Sequence, residues 1–179
     1  MHIKEEFERI ASAVQVERDA ETYLVSNATD GCNMKIRSGL LDVKVLIKEA
    51  RGLEQWQPVL KVPFPLDRLV AEQVFTYLAL EPPPLSRSEY GVEDFLTEVI
   101  GKDHRIAVAD VSKERHQYLL DGCLAEFAAV TIKRTPRHTV AVESSEPESV
   151  FQVIEKLSIG DLPNTSYVRE IKQVLGISN

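Results

Sequence analysis

The stretch that most limits the fold is residues 34–48, Met-Lys-Ile-Arg-Ser-Gly-Leu-Leu-Asp-Val-Lys-Val-Leu-Ile-Lys. Its apolar residues recur every second position on both sides of Ser38-Gly39. A strand places successive side chains on opposite faces, so the spacing predicts two strands joined by a tight turn. Met34 and Ile36 share one face of the first strand, with Lys35 and Arg37 on the other. Val43, Val45 and Ile47 share one face of the second, opposite Asp42, Lys44, Leu46 and Lys48. One side is greasy and the other carries four cations with one carboxylate. An antiparallel pair with a solvated back has the same pattern. The choice between a wet face and a binding face rests on whether other segments turn complementary charges the same way.

Bulk properties narrow the classes. A chain of 179 residues is long enough for one domain with a real core. Its net charge of −7 argues against general nucleic-acid binding, which needs a broad basic surface, but not against a local basic pocket. No apolar run reaches a membrane span, and the first residues have no signal-peptide core. Cys32 and Cys123 form neither a disulfide framework nor a metal-knuckle spacing. They read as two reduced thiols of a cytoplasmic protein.

Taken in order, residues 1–10 admit two readings. As a strand, Glu6 and Glu8 project together. As a helix, Ile3, Phe7 and Ile10 form an apolar stripe. Residues 11–20 read as loop or ragged helix, and 21–26 as a strand. Residues 27–31 and 50–53 read as turns, and 55–62 as a strand closed by Pro63 and Pro65. Helices are predicted over 66–80, with Asp67 as N-cap, and over 88–100, ended by Gly101. Residues 105–120 form one long strand or two. Asp121-Gly122 signals a hairpin into a return strand over 123–133. Pro136 marks a break before a strand over 138–144. Helices follow over 146–157 and from an Asn164 or Thr165 cap to Leu175.

The charges repeat. Lys113, Arg115 and Gln117 share a strand face, with Ser112, Glu114 and His116 opposite, and Glu126 falls across the hairpin. A closed sheet cannot bury such charges as core, because unpaired charge is too costly there. They would pair with each other or with a polyanion and its metal. Arginine and lysine suit phosphate oxygens, and clustered carboxylates suit Mg²⁺ or Mn²⁺. His2, His104, His116 and His138 show no ligand spacing and read as surface or loop residues. No glycine-rich phosphate loop and no GxSxG motif is present.

The order is an acidic first segment, Met-Lys-Ile-Arg, Val-Lys-Val-Leu-Ile-Lys, two helices, Lys113-Glu-Arg115, a hairpin with Glu126, Val140-Ala-Val-Glu143, and Asn164-Thr-Ser-Tyr-Val168 entering a last helix. Across nearly the whole chain this order resembles the CYTH superfamily, the triphosphate tunnel metalloenzymes. The resemblance implies an α+β fold: a single domain over 1–179, with an eight-stranded antiparallel β-barrel, closed or nearly closed, and helices packed outside. It implies phosphate binding by Lys35, Arg37, Lys44, Lys48, Lys113 and Arg115. Metal ligation falls to Glu6, Glu8, Glu54 and Glu143, with Glu126 positioning the attacking water. Mg²⁺ or Mn²⁺ is the implied cofactor. The implied partner is a small phosphate-rich anion of the triphosphate, nucleotide or thiamine triphosphate class, with a homodimer as a further arrangement and no nucleic acid or membrane.

Three positions depart from the family pattern. Ile10 stands where the N-terminal signature has lysine, Gln57 near the second acid of the mid-chain pair, and Ala141 at the first acid of the late Glu-x-Glu. Loss of one ligand or supporting group commonly costs an order of magnitude or more in metal affinity or activity. The expected function is therefore triphosphate binding with metal-dependent hydrolysis. The alternatives are a barrel that binds nucleotide or polyphosphate without turnover, or cyclase chemistry in the same cradle. A plain α+β domain with solvated charged faces is the third reading.

Overall fold

A computed structural model describes residues 2–177, His2 by its backbone alone. In chain order the elements are α1 (His2–Ile10), β1 (Gln15–Ser26), β2 (Cys32–Arg37), β3 (Leu40–Ala50), β4 (Leu53–Pro63), β5 (Leu66–Asp67), α2 (Arg68–Tyr77), β6 (Glu89–Tyr90), α3 (Val92–Asp94), β7 (Ile106–Leu120), β8 (Cys123–Ile132), β9 (Thr135–Glu143), α4 (Pro147–Lys156) and α5 (Tyr167–Leu175). They form two compact units: Glu21–Asp110 with Thr165–Asn179, and Met1–Ala20 with Val111–Asn164. Strands β1 and β7 each pass from one unit into the other, so each unit holds part of both.

In the 21–110 unit the strand order is β4-β3-β2-β1-β7. The predicted hairpin is there: Met34 pairs with Val43 and Lys35 with Asp42 across the Ser38-Gly39 turn. Both turn residues have positive φ, 50° and 72°, which glycine tolerates at no cost. Leu24, Cys32, Met34, Ile36, Leu41 and Val43 are buried on one face, against Val74, Phe75 and Leu78 of α2 and its C-terminal end and against Phe95 and Ile100. Asp67 caps α2 as expected, its Oδ1 accepting from Val70 N at 2.8 Å. The helix is shorter than predicted, because Leu66-Asp67 instead pairs with Glu89-Tyr90. The helix expected over 88–100 is broken up. Only Val92–Asp94 is α-helical, followed by a π-turn over Phe95–Val99 and a 3₁₀ turn over Ile100–Lys102. Gly101 permits this, since a Cβ there would lie 2.9 Å from Leu96 O.

In the other unit the order is β1-β7-β8-β9. Strand β7 is one uninterrupted strand of 15 residues. Asp121 and Gly122 make the turn into β8 with φ of 49° and 80°. Pro136 does not break the chain. It sits within β9, opposite Thr131, at an edge where no ladder needs its missing N–H. Phe7, Tyr118, Leu120, Cys123, Ala125, Phe127, Val153 and Leu157 make the core. Phe7 lies 4.7 Å from the Tyr118 ring.

One open choice is settled and three expectations are corrected. Residues 2–10 are a helix, because Ile3, Phe7 and Ile10 at helical spacing bury one stripe. Residues 15–20 are strand rather than loop. Among the described residues the closed eight-stranded barrel does not form: seven strands make ladders that end at β4 in one unit and at β9 in the other. The last helix is capped by Ser166, whose Oγ accepts from Arg169 N, rather than by Asn164 or Thr165. Among the described residues no helix is long and apolar enough to cross a membrane.

Candidate functional site

The charged back of the opening hairpin is built by cross-strand register. Tyr23, Lys35 and Asp42 lie side by side on β1, β2 and β3, and Lys61 of β4 faces Asp42. Directly opposed residues share a face, so this row has Lys35 and Lys61 on either side of Asp42. Lys44 lies two residues along β3 and shares the face through the unbroken β2–β3 register, opposite Asn33, although the pairing with β4 shifts beside it. Glu21 is the anchor. Its side chain is only 2 % exposed, and its Oε1 accepts from Lys35 Nζ at 2.7 Å, with Arg37 Nη1 at 3.6 Å. Two cations thus share one buried carboxylate. Lys35 also sits 5.9 Å from the centre of the Tyr23 ring, which stacks on Tyr167 of α5. Lys44 and Lys61 make no ion pair among the described residues.

A register shift between Leu46 and Lys48 breaks the alternation there. Lys48, predicted to share the face of Lys44, is exposed beyond that bulge and does not inherit its side by counting in twos. Trp56 opposes Leu46 and so lies on the Lys44 face, half-buried, its Nε1 donating to Glu54 Oε2 at 2.9 Å. Glu54 is tied to Arg169 of α5 at 2.5 Å. Arg169 also reaches Glu49 at 2.7 Å, and its neighbour Lys172 donates to Asp30 at 2.6 Å. These bonds clamp α5 to the 21–110 unit. The hydrogen bond from Arg169 to Glu49, with Glu54 and Asp30 close by, holds the guanidinium above its ordinary pKa against a smaller effect of burial.

In the 111–164 unit the centre is Arg115. Its guanidinium donates to Glu17 at 2.6 Å and to Asp19, and Glu126 lies 3.8 Å away. Burial works against this charge, but the carboxylates of Asp19, Glu126 and Glu17 outweigh it and raise the pKa. Arg115 Nε is buried with no acceptor among the described residues. Lys113 lies on the same strand face, 6 % exposed. Glu126 stands opposite Gln117 and accepts from its Nε2 at 3.3 Å. Glu143, at the end of β9, is exposed.

The structure brings together Lys35 with Arg37, and Arg115 with Glu126. Glu6 and Glu8 do not converge, since positions two apart on a helix point to different sides. Glu6 pairs with Arg9 and Glu8 with Lys4 on α1 itself. The acids that meet the cations are instead Glu17, Asp19 and Glu21. Their alternation in Glu-x-Asp-x-Glu was the available signal, but Glu17 and Asp19 fell in a segment read as loop or ragged helix for want of apolar partners. His104 is exposed in a turn. His116 and His138 lie on strands, His138 at the surface as expected and stacked on Phe127 at 5.6 Å, and His116 half-buried beside Glu114 at 3.3 Å. The side chain of His2 lies outside the described residues.

As for a divalent ion, no three His, Cys, Asp or Glu side chains converge as such an ion requires, among the described residues. Glu17 and Asp19 share a face, but both are engaged by Arg115. The donors as arranged do not fit Mg²⁺ or Mn²⁺.

The fold and these clusters define an antiparallel α+β protein whose strand faces carry interleaved cations and carboxylates. Solved structures share the fold, two of them over nearly the whole chain. One, called a "putative adenylate cyclase", is from Bacillus halodurans, at 12 % identity over 93 % of this chain and 91 % of that one, with a TM-score of 0.50. The other is a conserved hypothetical protein from Pyrococcus furiosus, at 14 % identity over 93 % and 91 %, again with a TM-score of 0.50. At such identities the likeness is one of fold alone. No family model matches the chain, and no curated protein matches it.

Proposed function

We propose that this is a diverged CYTH-like protein that binds a small phosphate-rich anion on the charged face of the 21–110 unit. The observation that carries the reading is an excess of cations there. Lys35 and Arg37 share one buried carboxylate, and Lys44 and Lys61 on the same face make no ion pair among the described residues. Arginine supplies a planar fork and lysines supply point charges, the mixture that holds several phosphate oxygens at once. The half-buried Trp56 on that face adds an aromatic surface against which a planar ring can stack. This favours a nucleotide-like or thiamine triphosphate-like anion over bare triphosphate. In the other unit Arg115 is outnumbered by Glu17, Asp19 and Glu126. An anion at Lys113 and Arg115 would have to displace carboxylates or bring a cation with it. Binding without turnover is therefore favoured over metal-dependent hydrolysis or cyclisation.

The test is calorimetry and thermal shift with orthophosphate, tripolyphosphate and ATP, each with and without Mg²⁺ or Mn²⁺, alongside phosphate-release assays. The reading expects stabilisation by tripolyphosphate and ATP without a metal, little by orthophosphate, and no turnover. Arg37→Ala and Lys44→Ala should each weaken binding by about tenfold, close to 1.4 kcal/mol. Metal-dependent phosphate release would replace the reading with the hydrolase. Absence of binding by every anion would refute both.

A further inference from the structure

The ladders end on two unlike strands. Strand β4 carries Pro58 and Pro63, and its pairing with β3 shifts register twice. Prolines and bulges are the means by which an edge is kept from pairing with another chain. Strand β9 has one such guard, Pro136, near its start. From Arg137 to Glu143 it is regular and unbroken.

The backbone direction along β9 follows from register. The two-residue turn at 133–134 makes Ile132 and Thr135 the closing pair, which in such hairpins exchanges both backbone hydrogen bonds. Bonded pairs then alternate, so Val130–Arg137, Ala128–Thr139, Glu126–Ala141 and Leu124–Glu143 are bonded within the sheet. The N–H and C=O groups of His138, Val140 and Val142 point out of the edge. So would those of Pro136, which has no N–H to offer. The β7–β8 hairpin gives the same phase, since Leu120–Cys123 closes it and Gln117 O, pointing away from β8, accepts from Val14 N at 2.8 Å.

We propose that β9 pairs antiparallel with β9 of a second copy of this chain, about a two-fold axis at Val140. This register uses every outward N–H between Pro136 and the end of the strand. Val140 exchanges two hydrogen bonds with the partner's Val140. His138 and Val142 exchange two with the partner's Val142 and His138, on each side of the axis. Arg137 then faces the partner's Glu143, and Glu143 the partner's Arg137, so the strand is complementary in charge to itself. Both fall at non-bonded positions of the new ladder, where side chains approach most closely. Arg137 Nη1 donates to Pro136 O in the single chain, and the partner's carboxylate is a stronger, charged acceptor. Leu124, paired with Glu143 one strand in, is 43 % exposed, and Leu119 opposite it is 64 % exposed. They offer apolar surface over which the partner's Arg137 can lay its stem. The two-fold contact is isologous and closes at two copies.

Sedimentation velocity or light scattering across a wide concentration range tests this, with the purified chain alone. The expected result is a monomer–dimer equilibrium. Arg137→Glu and Glu143→Arg should each weaken it by at least tenfold, since each sets two like-charged pairs face to face. The double variant R137E/E143R should return it to within a few-fold of the unaltered chain. Circular dichroism and thermal melts of the monomers check that each variant folds. A chain that stays monomeric at all concentrations overturns the proposal. So does a dimer indifferent to the single changes, or one that the double change fails to restore.

Discussion

Replacing Glu21 with glutamine separates a structural account of its carboxylate from a functional one, because the two effects carry opposite signs. The carboxylate is buried, and the change leaves Lys35 and Arg37 without the charge they share. Breaking a fully buried pair costs about 3–5 kcal/mol. Here the cationic side chains keep 16 % and 29 % of their exposure and can rehydrate. Glutamine also retains one acceptor, so the expected loss of stability is about 1–3 kcal/mol. Anion affinity should move the other way. A unit negative charge roughly 6 Å from a bound phosphate costs about 3 kcal/mol at an effective dielectric of ~20, less with salt screening. Removing it should tighten tripolyphosphate binding by about tenfold or more, at about 1.4 kcal/mol per decade. Urea unfolding reads the first effect and calorimetry at low salt reads the second. Weaker or unchanged anion binding in a folded Glu21→Gln protein would refute the assignment of this face.

Three further predictions rest on single contacts. The Tyr118 hydroxyl is buried without a partner among the described residues, so Tyr118→Phe should leave stability unchanged or raise it by up to about 1 kcal/mol. A loss above that in denaturant melts would mean that the hydroxyl has a partner. Gly101→Ala should cost about 1–3 kcal/mol by thermal or chemical melts, since the new methyl meets Leu96 O. Burial pushes the Cys32 thiol up to about 12, so it should resist alkylation in the native protein at pH 8 and react at once in denaturant. The linkage follows: a raised native pKa contributes stability that is whole below the unfolded value near 9 and lost as pH climbs towards 12, and Cys32→Ala should flatten that part of the pH–stability curve.

Much of the fold was legible because it is written in short-range patterns. Period-two apolar spacing with Ser38-Gly39 or Asp121-Gly122 between strands specifies hairpins, since the turn needs positive φ and the face needs burial. The Asp67 cap and the pairing of Lys113 with Arg115 on one strand face were equally local. The failures have physical causes too. The first half of β1, from Gln15 to Ala20, buries no large apolar side chain, so nothing in its hydropathy signals a strand. It becomes one through β7 and the pull of Arg115 on Glu17 and Asp19. Residues 2–10 balanced strand against helix until Phe7 met Tyr118 and Phe127.

The sequence alone determined the faces: which side of each hairpin is apolar, and that cations gather at alternate positions on the other. Alternation and turn chemistry are properties of a few adjacent residues. Only the tertiary structure decided which acids meet those cations, because an ion pair joins residues tens of positions apart whose approach depends on register. Glu21 took Lys35 and Arg37, Glu17 and Asp19 took Arg115, and Glu54 took Arg169 of the last helix. Glu6 and Glu8 stayed with their own helix. Among the described residues Lys44 and Lys61 are left as cations of that face that make no ion pair, and the anion reading rests on them.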